Sequence, residues 1–201
     1  MNAKKILLGL APWALFSILT ERLGADAVGC AALLACVGSL ILAIHGSRGK
    51  SGLKIIDSAG IVTFGIIALI SLFGGPAVDD ALADYGRSVA AFVLAAVMAI
   101  SAVTVPFTEQ YARDSVDPRY WGSPVFRAKN KTISALWAGA VCAMAVCHLI
   151  AGALASEAGL SGAHPGNLVL NWVIPIGLII FVVKRTRVIA GDQPRSSQPA
   201  D

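Results

Sequence analysis

Charge is what this chain has least of. Only 14% of its 201 residues are Asp, Glu, Lys or Arg, against ~25% in an ordinary soluble domain. Hydrophobic residues make up 56%, and the mean hydropathy is +0.73. So thin a supply of polar surface excludes an ordinary soluble globule. Cysteine is scarce too: Cys30, Cys36, Cys142 and Cys147 have no CxxC spacing and fall within apolar stretches. That excludes a zinc ribbon and a disulfide framework, and leaves them as small apolar residues. Of the three histidines, His45 closes one apolar stretch at one membrane face and His148 nears the opposite face. Two axial ligands for one haem must share a depth, so this pair cannot serve. His164, in the loop beyond His148, adds a second imidazole but no carboxylate or thiolate pattern, so no metal site is expected. No nucleophile, base and ligand set meets at one depth. The expectation is no catalytic residue, no cofactor and no metal.

What is there is apolar length. Six stretches run 6–20, 27–45, 53–73, 88–107, 132–155 and 168–183. Most approach the ~20 residues a helix needs to cross ~30 Å of hydrocarbon. The expected fold is therefore all-α: a polytopic transmembrane bundle of six spans over 1–190, followed by a disordered tail over 191–201 that is rich in Pro, Ser and Gln. Lys4 and Lys5, the apolar run to Leu19 and Ala25-Asp26-Ala27 also read as a secretory signal. Pro12-Trp13 inside that run and Glu21-Arg22 after it favour a retained first span.

The loops alternate in charge. If the N-terminus, the 46–52 connection, the 108–131 loop and the C-terminus share a side, that side holds fourteen of the sixteen Lys and Arg residues. Only Arg22 and Arg87 fall opposite. By the positive-inside rule the crowded side is the cytoplasm and both termini are cytoplasmic. The crowded side carries fourteen cations against six acids, and the other two against six. A basic rim facing anionic headgroups accounts for a pI near 9.0 without nucleic acid.

Three features point further. Ala135, Gly139, Ala143, Cys147, Ala151 and Ala155 recur every four residues along the fifth stretch, a stripe that predicts close helix packing there, with a shorter version in Ala91, Ala95 and Ala99. Two ionisable groups lie inside the stretches. Asp57, four residues past Leu53, is expected near the cytoplasmic interface paired with Lys54, and His148 is expected as a neutral interhelical hydrogen-bond partner. The third is the 108–131 loop. Arg119, Arg127, Lys129 and Lys131 interleave with Tyr120, Trp121 and Phe126 over 13 residues. Glu109 and Arg113 are spaced for an i,i+4 pair, and Asp117-Pro118 and Ser123-Pro124 each read as an N-cap with proline at the first helical position. The loop is either an interfacial belt or a platform for anionic lipid headgroups or a membrane-protein partner, a second copy included.

Pro12-Trp13-Ala-Leu-Phe16 in the opening helix, the short turn into a small-residue second helix, and Asn130-Lys-Thr-Ile-Ser-Ala-Leu-Trp137 resemble the bacterial intracellular septation protein A family. The resemblance implies a small inner-membrane protein of division and envelope synthesis with no known catalytic mechanism. It carries no functional residue across, and six spans would exceed the family's usual five. The expectation is thus a non-enzymatic envelope, assembly or division protein. The alternative is a small-solute transporter or channel subunit, hinted at by Pro12, Pro106, Pro175, Asn167 and Asn171, since transporters use broken helices.

Overall fold

The computed structural model describes residues 3–47, 52–158 and 165–191, all of it helix, turn or loop without a strand among them. The order is α1 (Ala3–Gly9), α2 (Ala11–Leu23), a 3₁₀ turn at Ala25–Ala27, α3 (Val28–Ser47), α4 (Ile55–Gly74) and α5 (Pro76–Val103). Then come α6 (Phe107–Arg113), a 3₁₀ turn at Pro118–Tyr120, α7 (Pro124–Ala158), α8 (Pro165–Leu168), a π-helical turn at Val169–Val173 and α9 (Ile174–Ala190). Five helical segments are long and apolar enough to cross a membrane, and α1 with α2, bent by 46°, makes a sixth if counted as one span. The chain is an all-α polytopic bundle, the fold of a multi-pass membrane protein. Its outward faces agree, with large apolar side chains such as Leu33, Val62, Leu72, Phe73 and Val103 exposed. In water such a surface would drive association; in hydrocarbon it is solvated.

Several boundaries differ from those read off hydropathy. The first stretch breaks at Leu10, where Pro12 enters α2 as an early helical residue that cannot donate to the preceding turn. Gly74-Gly75-Pro76 does end α4, but α5 starts at once at Pro76, so Asp79, Asp80 and Asp84 are helical rather than part of a connection. Proline at the first position suits a helix start. The fourth stretch stops at Val103; Thr104–Pro106 breaks the chain and Phe107 begins α6. At the fifth, Pro124 starts a helix of 35 residues, about 52 Å long. Phe126, Arg127, Lys129 and Lys131 therefore stand on the first two turns of α7 and not in a loop. The tail beyond Gly191 and His164 lie outside the described residues.

α5 and α7 pack along most of their length, and α3 with α4 forms the second large contact. The α7 face that packs is not the small-residue stripe. Ile133, Trp137, Ala138, Val141 and Ala145 are buried, whereas Ala135, Gly139 and Ala143 are exposed, and a side chain at Gly139 would meet open space. The stripe turns inward only toward its far end, where Ala151 is buried and, beside it, a Cβ on Gly152 would strike the backbone oxygen of Asp84 on α5. The core centres on Trp13 and Phe16, which pack on Phe64 at ring separations of 4.8 and 5.2 Å. Such tilted pairs add to the stability of simple burial. Trp137 joins α7 to α9 by donating from Nε1 to Thr186 Oγ1 at 3.0 Å.

Candidate functional site

The polar groups gather at the two ends of the bundle. One end collects the segments that the charge pattern groups together. Lys5 of α1 pairs with Asp114 just past α6 at 3.0 Å, and Lys54 before α4 approaches the same carboxylate at 4.0 Å. Near Lys129 on α7, the space beside Gly191 brings in the end of α9. Gln110 of α6 caps α4, accepting from the Ile55 N–H at 2.9 Å. The start of α4 has no side-chain cap from Lys54 itself, so a donor left over at a helix N-terminus is satisfied from a distant element.

Asp57 is at this end, 3% exposed in the first turn of α4. The expected pairing with Lys54 is not a contact ion pair among the described residues. Lys54 stacks over the Tyr111 ring at 4.7 Å and turns toward Asp114. An ammonium over a ring face is attracted by the ring's quadrupole. Asp57 Oδ1 and Tyr111 Oη are both buried without a partner among the described residues. Both lie around Gly9, where a Cβ would strike Tyr111 Oη, so α1 approaches this closely only because residue 9 has no side chain. They line a cavity of about 190 Å³ with Lys5, His45 and Lys54. Burial first, then the Asp57 and Asp114 carboxylates, pushes the Tyr111 phenol well above its usual pKa.

The basic loop is folded, not slack. Glu109 and Arg113 form the i,i+4 pair at 2.5 Å. Asp117 accepts from Arg119 N at 3.0 Å and Ser123 Oγ from Phe126 N at 3.2 Å, so both expected caps are present. Thr108 and Ser134 Oγ atoms are 2.9 Å apart, and Thr108 also donates to the Asn130 carbonyl at 2.9 Å, tying α6 to α7. Trp121 turns inward: its Nε1 donates to the Val116 carbonyl at 3.0 Å, and Arg113 lies 5.1 Å from its ring centroid. Arg119 covers Tyr120 at 4.7 Å and approaches Asp117 at 3.7 Å, both exposed. Phe126 is half-buried. Arg127, Lys129 and Lys131 are exposed, with no ion pair among the described residues. Arg113, Arg127 and Lys131 share a cleft of about 300 Å³ with Glu109 at the break between α5 and α6.

The opposite end holds a second network. His148 Nδ1 donates to Asn171 Oδ1 at 2.6 Å, the interhelical bond expected of it, and Asn171 donates on to Asn167. Glu21 of α2 accepts from Arg87 of α5 at 2.8 Å and from Trp172 Nε1 at 2.6 Å. Asn171 and Trp172 fall in the π-helical turn ahead of Pro175. A missing proline N–H and a widened turn go together. This network borders a cavity of about 240 Å³: Arg87, His148, Asn171 and Trp172 are in its wall, and the rest, from Leu10, Phe16 and Leu94 to Trp137, Val141 and Val182, is largely apolar. Sequence reasoning missed Tyr111 and Asp114 as members of the basic-end cluster, and Glu21, Arg87 and Trp172 at the other. Each is joined to partners tens of residues away, which no local spacing reveals.

Such a fold and charge distribution define a multi-pass α-helical membrane protein with one basic end. No protein-family model, curated protein or solved structure matches the chain.

Proposed function

We propose that the protein is a non-enzymatic integral protein of the bacterial inner membrane with both termini in the cytoplasm. Its basic end is a platform for anionic lipid headgroups, and the resemblance to the septation family implies an envelope, assembly or division role. The observation that carries this reading is the row of exposed, unpaired cations Arg127, Lys129 and Lys131 on the first turns of α7, beside the Arg119–Tyr120 stack. Cations that have acidic partners in the bundle would be structural; these have none among the described residues. A juxtamembrane Lys or Arg contributes about 1 kcal/mol to anionic membrane binding. The test is retention of phosphatidylglycerol through purification by the parent and by the Arg119→Gln/Arg127→Gln/Lys129→Gln/Lys131→Gln variant. At least a tenfold drop is expected; equal retention overturns the platform.

One observation favours the transporter reading as second. The helix breaks at Leu10 and at the π-helical turn of α9 flank the central cavity, as broken helices flank a solute site. Arg87, His148 and Asn171 bring polar groups to one end of that cavity, but the remainder of its wall is apolar, which argues against a strongly polar solute. Uptake of a polar solute into proteoliposomes, abolished by His148→Ala, would favour it over the platform.

A further inference from the structure

The cleft beside α6 does not end at the membrane surface. Ala102, Val103 and Lys131 line both it and a second depression of about 500 Å³ that runs between α5 and α7. The second one is walled by small and apolar residues: Ala95, Ala99, Ala135, Gly139 and Cys142, with Phe92 at its far end. Ala99, Ala135, Gly139 and Cys142 are exposed along it. We propose that cleft and groove form one binding site for a single anionic glycerophospholipid, with its phosphate between Arg127 and Lys131 and one acyl chain lying in the α5–α7 groove. This rests on the platform reading and narrows it from a charged surface to a discrete site.

Three observations fit that occupant. The charge is complementary: the cleft has the cations Arg113, Arg127 and Lys131 against the single carboxylate of Glu109, which Arg113 already engages. An anion is thus called for at the mouth and nothing charged below it. The length matches. Lys131 to Cys142 spans eleven residues, about 16 Å along the helix, and one leaflet of hydrocarbon is about 15 Å deep. A chain anchored at Lys131 would fill the groove and end near the bilayer midplane. Finally, the site explains why the stripe is not packed. Small residues at 135, 139 and 142 leave a channel between two helices that contact closely elsewhere, and in lipid such a channel is filled by the surrounding chains. Lys131 lines both halves, and a lysine can lay its stem along apolar surface while its ammonium stays among polar groups.

Native mass spectrometry of the full chain titrated with phosphatidylglycerol tests this. The parent should show one saturable adduct. Arg127→Gln/Lys131→Gln should lower its occupancy at least tenfold, and Gly139→Phe, which leaves every charge in place, should do the same by filling the groove. Arg119→Gln/Lys129→Gln should change it less than threefold. Ala99→Phe fills the same groove from the opposite wall and decides the matter if the first filled variant does not fold. Loss with the charge variants but not with either filled variant would leave the platform standing and overturn the site. No loss with any variant would overturn both. A dimer in the parent that Gly139→Phe converts to monomer, with the adduct kept, would assign the groove to a second copy of the chain and overturn the lipid site.

Discussion

The ammonium of Lys54 lies 4.7 Å from the centre of the Tyr111 ring, although the carboxylate of Asp57 stands three residues along its own chain. That contact ties the start of α4 to α6, and with Lys5 and Asp114 it draws three separate segments to one end of the bundle. The phenol beneath it has an oxygen that nothing described reaches. A buried oxygen without a partner costs about 1–3 kcal/mol, so Tyr111→Phe should be at least as stable as the parent in thermal unfolding in detergent. A drop of several degrees would mean that something does bond the hydroxyl.

The same phenol has a pH signature. Its folded pKa is raised above the unfolded value of about 10. The neutral form is therefore the one the fold favours. Titration of the phenol thus leaves stability unchanged below about pH 10 and lowers it as pH rises further, because the unfolded chain then releases a proton that the folded chain retains. The ultraviolet difference between parent and Tyr111→Phe should show no phenolate band from this residue at pH 10.

Packing separates two glycines of α7. Gly152→Ala should destabilise the bundle by about 1–3 kcal/mol, the usual cost of overpacking, because its Cβ meets the Asp84 carbonyl. Gly139→Ala, facing open space, should be neutral or better, since alanine is the stronger helix former. Melting temperatures of the two variants in one detergent compare them directly.

Hydropathy made the existence of the helices legible, because a span must be apolar whatever it packs against. The caps at Asp117 and Ser123 and the Glu109–Arg113 pair were legible for a similar reason: each is settled within a few residues. The His148 bond to Asn171 was foreseeable in kind, since a buried imidazole in lipid must find a partner, but not in identity. Where the sequence misled was over faces and ends. The small-residue stripe repeats every four residues, while the packed face of α7 follows Ile133, Trp137, Val141 and Ala145, two residues out of step with it and so on nearly the opposite side of the helix. Large side chains there fill the core and leave the small ones on the outside. Pro124 started α7 well before its apolar stretch because helix propensity and capping, not hydropathy, set that boundary.

The proposed topology rests on the charge pattern alone. Reporter fusions after Gly49 and after Arg195 should read as cytoplasmic and one after Gly75 as external. A cytoplasmic reading at Gly75 would reverse the orientation and put the basic end on the wrong leaflet.

On the platform reading, the basic end rests on an anionic leaflet. Hydrogen–deuterium exchange over 107–131 in nanodiscs of phosphatidylglycerol, compared with phosphatidylcholine, tests it most directly. Exchange should be slower on the anionic lipid at ~0.1 M salt and should return to the neutral-lipid rate at ~1 M, where the Debye length is only about 3 Å. Equal exchange on both lipids at low salt would contradict the claim.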